Sequence, residues 1–239
     1  MPFFFLSFFI MSKTFIIGDC HEEIQNIPDK SIDFIYTNFP FSTTAQEWDK
    51  PLDLELLFKH MFRILKDNGV IALHAAIPFT YQLIKICQPQ YHYTWCKARP
   101  TGHLNAKRQP LRNLEEVLIY YKNPKHTYNI QMSGTTQHSS KRENKKSSKY
   151  YQSQKSYTST HVGNYPRTFL GVFKSVSQKN SPKSVPDLLI EYFIRTYSVE
   201  NSTLLDLTCC DDGVGIIAEG LNRHYIGIDI SSKYLKKYI

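Results

Sequence analysis

Short apolar runs rich in β-branched residues alternate with helix-period segments at both ends of the chain, and this alternation restricts the fold more than any other feature. "KTFIIGDC" (13–20) is such a run closed by a polar turn, "EEIQNIP" (22–28) reads as a short helix stopped at Pro28, and "SIDFIYT" (31–37) reads as the next strand. In "DLELLFKHMFRILKDNG" (53–69), Leu54, Leu57, Phe58, Met61 and Leu65 fall on one helical face and Gly69 stands where a C′ glycine belongs. "VIALHAA" (70–76) follows as a buried strand. Near the C-terminus "VPDLLIEYFIRTY", "STLLDLTCC", "GVGIIAEGL" and "RHYIGIDI" repeat the pattern as helix, strand, helix and strand. Such alternation predicts an α/β fold around a mostly parallel sheet, assembled from both ends of the chain.

The middle is different. "YHYTWCK" and "EEVLIYYK" read as a strand pair around the polar stretch "ARPTGHLNAKRQPLRN" (98–113). From Ser133 to Thr160 aliphatic residues nearly vanish, and "SSKRENKKSSKYYQSQKSYTST" carries six Lys/Arg against one Glu. That composition builds no core and predicts an exposed basic loop, disordered when alone. One domain spanning 1–239 is expected, since 239 residues suffice for a single sizeable core. Net charge is +8, a balance that suits a polyanion and nucleic acid before an anionic membrane.

The five cysteines (Cys20, Cys87, Cys96, Cys209, Cys210) form no CxxC pair and no cluster with histidines, so no metal site is expected. An odd count points to reduced thiols in the cytoplasm or nucleus. The opening "MPFFFLSFFI" is too short to span a bilayer and has no basic n-region. Residues 1–10 are therefore read as a disordered or misassigned start, with Met11 beginning the domain and no membrane partner expected.

The segment ending "YIGID" has the outline of a nucleotide-cofactor half-site, with Asp229 as the acid after the second strand. Its loop, "DLTCCDDGVG", keeps Gly213 and Gly215, but Cys210 and Asp212 stand where close approach favours no side chain. Asp211 and Asp212 would repel a phosphate, which disfavours NAD or ATP and suits a cationic cofactor. An ordinary βαβ unit with Asp229 as a capping acid is the alternative on this segment alone.

In order along the chain, "GDC", "DKSIDFIYTNFPF", "EWDKPLDLELLFKHMFRILKDNGVIAL", "TGHLNAKRQPLRNLEEVLIYYK", "YPR", "LLIEYFIRTY" and "LLDLTCCDDGVGIIAEGLNRHYIGIDIS" resemble the permuted (β) group of DNA amino-methyltransferases. In that group the catalytic motif precedes the cofactor motif, and the resemblance runs from about Thr14 to the C-terminus. It implies a Rossmann-like S-adenosylmethionine-dependent methyltransferase sheet flanked by helices, with an inserted basic target-recognition region at 98–166 containing the loop 133–160.

The resemblance also implies roles. Asn38, Phe39, Pro40 and Phe41 stand in the catalytic box, where Asn38 offers a side-chain oxygen, Phe39 a carbonyl and Phe41 a stacking ring to an extruded base. Phe39 replaces a proline whose ring would fix the direction of that carbonyl. Asp19 is implied to lie near the adenine of S-adenosylmethionine and Asp229 near its ribose, with Asp206, Gly213 and Gly215 completing the cofactor site. "SPKSVP" keeps Pro182 and Pro186 of the family's pattern but has Val185 at its basic position. In the recognition region, Lys107, Arg108, Arg112, Lys145, Lys146 and Lys149 are expected on DNA phosphates, and Tyr150, Tyr151 and Tyr157 on exposed bases.

Two functions stay open on these residues. One is methyl transfer to N6 of adenine or N4 of cytosine in DNA. The other is a catalytically lapsed copy that binds DNA or an active methyltransferase, as a homodimer or heterodimer. Glutamine or RNA methyltransferases share an Asn-Pro-Pro-Tyr-like box, but their cofactor loop comes first in the chain.

Overall fold

The computed structural model describes residues 13–143, 147, 155–174, 185–233 and 235. The expectations placed on residues 1–10, Lys145, Lys146, Lys149, Tyr150, Tyr151 and Pro182 lie outside the described residues. Two units are distinct: residues 13–129 with 168–235, and residues 130–167.

The larger unit is built on an eight-stranded sheet. β1 (Lys13–Ile17) lies beside β10 (His224–Asp229), which lies beside β9 (Thr203–Asp206) and then β2 (Ile32–Thr37). The C-terminal strands are thus inserted between the first two, all parallel, so the sheet is assembled from both ends of the chain, as the alternation predicts. β3 (Leu65–Ala75) continues the parallel set, and β5 (Arg112–Tyr121) runs antiparallel to both β3 and β4 (Tyr91–Thr101). β8 (Phe169–Phe173) closes this edge beside β4.

Helices cover both faces. α1 (Cys20–Asn26), α2 (Leu54–Ile64) and α3 (Phe79–Ile86) bury Ile24, Leu57, Met61 and Leu83 against one face. α4 (Asp187–Tyr197) and α5 (Gly213–Gly220) bury Leu189, Phe193 and Ala218 against the other. Central β2 is consequently apolar on both sides, with Phe34, Ile35 and Tyr36 all buried.

Two local expectations are corrected. The predicted helix over 53–69 ends at Ile64, because the Lys30 and Ser31 amides take the Arg63 and Ile64 carbonyls and the chain leaves extended. Gly69 therefore caps nothing. It lies within β3 at an irregularity in pairing with β2, where an added Cβ would sit 2.9 Å from the Asp33 carbonyl. The strand predicted over 202–210 is only Thr203–Asp206, so Cys209 and Cys210 belong to the loop that follows.

In the smaller unit, part of the stretch 133–160 read as an exposed loop is paired strand, though it buries no core. β6 (Ser133–Arg142) and β7 (Tyr157–Asn164) pair antiparallel as a ribbon. Cross-strand contacts hold it: the His138 and His161 rings stack at 5.2 Å, Ser140 and Ser159 hydroxyls meet at 3.0 Å, and the Arg142 guanidinium lies over the Tyr157 ring. Composition hid this because the paired residues are polar on both faces, so no apolar alternation marked the strands.

Candidate active site

Parallel α/β sheets place their loops for ligands at the carboxyl ends of the strands. Asn38 follows β2 and Asp206 ends β9, and these strands are parallel neighbours. The box and the cofactor-type loop therefore meet at one edge. Thr208 joins them: its hydroxyl donates to the Asn38 carbonyl at 3.1 Å and lies 3.2 Å from the Thr37 hydroxyl. Sequence reasoning missed Thr208, which carried no motif signal.

Two cavities open here, and Asn38 lines both. The smaller, about 30 Å³, is bounded by Tyr36, Asp206, Cys209, Cys210, Asp211 and Gly213. The larger, about 350 Å³, has a ring-rich wall of Phe41, Trp48, Trp95 and Phe173, with Lys97 and Arg99 also lining it. Phe41 stacks on Phe79, ring centroids 5.1 Å apart, which holds its plane against the cavity. Phe39 faces inward and its side chain is fully buried in the core, while Pro40 is buried beside it.

The cofactor-type loop is tightly wound. Cys210 has φ +56°, and the Asp211 amide donates to the Cys209 carbonyl at 2.5 Å, closing a three-residue turn with Cys210 at its centre in a conformation that suits glycine. Asp229 holds this turn, its carboxylate accepting from the Cys210 amide at 2.9 Å and the Ser231 amide at 2.8 Å. Each of those oxygens keeps a second acceptor direction.

Asp212 departs from the sequence reading. Its φ is −88°, so it carries no left-handed strain, and its side chain lies outside the cavity lining. The carboxylate is buried and pairs with Lys13 of β1 at 2.7 Å, and Lys13 also reaches Glu219 at 3.2 Å. Burial acts to push the Asp212 carboxyl up, and the Lys13 ammonium opposes it. Gly215 is glycine for a packing reason, since a Cβ would meet Asp212 Oδ1 at 2.3 Å and the Tyr225 ring at 2.9 Å.

Asp19 is engaged at the start of α1. It caps α1, accepting from the His21 amide and from His21 Nδ1 at 2.6 Å, and the amide hydrogen bond leads in holding its carboxyl below the usual range. His21 Nε2 accepts from the Asp53 amide at 3.0 Å, which assigns the ring proton to Nδ1. Asp19, Cys20 and His21 bring potential metal-ligating atoms together, but both His21 nitrogens are already engaged. Of the cofactor residues named from sequence, Asp206 and Gly213 line the smaller cavity; Asp19, Gly215 and Asp229 stand outside its lining.

Asp49 is the functional-looking residue most clearly missed. It is buried and accepts from the Ser42, Thr43 and Thr44 amides and the Thr44 hydroxyl, all within 2.9 Å, so it fixes the loop after the box where Ser42 has φ +54°. The hydroxyl run of "STTAQEWD" before an acid is the available signal for such a turn. Burial alone would raise the Asp49 carboxyl; the Thr44 hydroxyl and the three amides outweigh it and hold the carboxyl below its ordinary value of 3.8. A depressed folded value means the contribution is present above that ordinary value and is lost as pH falls through the folded one. Asp49→Asn should therefore lower stability by about 2 kcal/mol near neutral pH, with the gap to the unaltered protein closing on acidification. Urea unfolding across pH checks this; a gap independent of pH would show that charge on Asp49 does not organise the loop.

Lys107 and Arg108 are exposed in the turn after the short helix His103–Asn105, and Arg112 is exposed at the start of β5. All three belong to the larger unit, whereas Tyr157 lies on β7 of the smaller one.

The family model described as DNA methylase (N6_N4_Mtase) matches residues 32–239. The chain belongs to this N6/N4 DNA methylase family. Among curated relatives, the DNA adenine methyltransferase YhdJ of Escherichia coli K12 is 25% identical over 244 residues, covering 94% of this chain and 81% of that protein. Among solved structures, the cytosine-N4-specific PvuII DNA methyltransferase superposes with TM-score 0.69 at 16% identity, covering 93% of this chain and 83% of that one. The M1.HpyAVI–SAM complex gives TM-score 0.60 at 18% identity, covering 95% and 97%. These likenesses establish the fold as that of a DNA methylase. Among the described residues no helix is long and apolar enough to cross a membrane.

Proposed function

We propose that this DNA methylase family protein transfers a methyl group from S-adenosylmethionine to the exocyclic amino nitrogen of adenine (N6) or cytosine (N4) in DNA. The observation that carries the reading is that Asn38, with Val185, lines both cavities at the β2–β9 edge. One cavity then serves the cofactor and the other, ring-walled and about 350 Å³, the extruded base. The donor set suits a cationic cofactor, since Asp206 and Asp211 both line the smaller cavity.

When bound, S-adenosylmethionine supplies an electrophilic methyl group on sulfur. The chain's own part is to make the amino nitrogen nucleophilic. An amino lone pair is delocalised into the base ring; acceptors on its N–H bonds favour the pyramidal form and stabilise the charge that grows during attack. Asn38 Oδ1 and the Phe39 carbonyl are the acceptors in this proposal, with Thr208 fixing the Asn38 backbone. Phe41, braced by Phe79, stacks on the base.

A second reading, a lapsed copy that acts as a DNA-binding or partner subunit of an active methyltransferase, draws support from the wound turn at Cys210 and the small cavity beside it. Methyl-labelled S-adenosylmethionine and unmethylated genomic DNA discriminate the two. Under the first reading, label appears in N6-methyladenine or N4-methylcytosine after hydrolysis, and Asn38→Ala lowers turnover about a hundredfold. Absence of label, together with no heat of cofactor binding, would leave the lapsed copy standing.

A further inference from the structure

We infer that Arg99 is the phosphate-binding residue of the larger cavity, which thereby takes a whole nucleotide, base inward and phosphate outward. The inference rests on the base-pocket reading above and adds a ligand group to it. Trp95, Lys97, Arg99 and Thr101, alternate residues of β4, all line this cavity. Along them the wall changes from a buried indole to a half-buried ammonium and then to an exposed guanidinium and hydroxyl. Successive same-face positions on a strand are separated by about 6.6 Å, a spacing on the scale that separates a nucleotide's base from its phosphate.

The charges single out Arg99. Four ionic groups line the cavity: Lys97, Arg99, Asp49 and Glu115. Lys97 Nζ binds Glu115 Oε1 at 2.7 Å, so these two neutralise each other. Asp49 is buried and committed to the loop amides. Arg99 is exposed and enters no ion pair among the described residues. A guanidinium offers forked donors that match phosphate oxygens, and phosphate contacts orient a nucleic acid without reading its sequence. Extruding a base leaves its phosphate at the mouth of the pocket, within the province of this exposed cation.

The chain has two tryptophans, Trp48 and Trp95, and both line this cavity. Their indole N–H resonances therefore report its occupancy without a known target sequence or any catalysis. The experiment titrates the full chain with adenosine, cytidine and their 5′-monophosphates, following these signals. The expected result is binding of a monophosphate at least about tenfold tighter than its nucleoside. Arg99→Gln should abolish that preference while leaving nucleoside binding unchanged, and Arg99→Lys should keep part of it. Equal affinities for nucleoside and monophosphate in the unaltered protein would overturn the Arg99 assignment while leaving the base pocket intact. No indole response to any of the four would instead overturn the base pocket on which the inference stands.

Discussion

Replacing Phe39 by alanine is expected to lower stability by about 3–5 kcal/mol, and replacing it by proline no less. From the sequence, proline looks like the repair that would restore a catalytic box. The structure gives Phe39 another task. Its side chain is fully buried within the cluster that holds Leu57, Met61, Phe79 and Leu207, so removing the ring opens a cavity beneath the loop that positions Asn38. A proline cannot fill that space, and methyl transfer should fall with stability instead of rising. Urea unfolding of the Ala and Pro variants measures the effect. A Phe39→Pro protein as stable as the original and more active would show that the ring is dispensable and that carbonyl direction is what the box lacks.

Phe39 illustrates what was legible in the sequence and what was not. A mostly parallel sheet drawing strands from both ends of the chain was readable because apolar periodicity marks the strands and helices that alternate there. The meeting of Asn38 and Asp206 at one edge is a consequence of that topology. Side-chain direction after a strand ends is set by packing, which has no period. Hence Phe39 turned into the core was not readable, nor was Asp49 gathering three amides from a loop of hydroxyl residues. The polar ribbon β6–β7 escaped for a related reason: strands without a buried face leave no alternation to read. Asp19 and Asp229 stand in the order the resemblance implies, and their hydrogen bonds, a helix cap for one and a loop clamp for the other, are contacts that motif order does not report.

Cys210 and Asp212, equivalent as departures from a glycine-rich loop, are expected to respond to glycine in opposite directions. Cys210 has φ +56°, which costs a non-glycine residue about 1–2 kcal/mol. Glycine removes that cost and adds back roughly 0.5–1 kcal/mol through the freer unfolded chain, so Cys210→Gly should leave stability level or raise it by about 0.5 kcal/mol. It also withdraws a side chain from the cavity lining and frees the turn that Asp229 clamps, which should raise S-adenosylmethionine affinity about tenfold. Asp212 carries no such strain, and its buried carboxylate anchors Lys13, tying edge strand β1 to the start of α5. Asp212→Gly removes the buried carboxylate that pairs with the Lys13 ammonium at 2.7 Å, at a loss of about 3 kcal/mol. Cofactor affinity should not improve, because the residue does not line the cavity. Thermal unfolding and calorimetric titration of the two single variants separate these outcomes. Stability unchanged by Asp212→Gly would place its carboxylate outside the ion pair with Lys13. Affinity unchanged by Cys210→Gly would mean that the wound turn is not what limits entry of the cofactor.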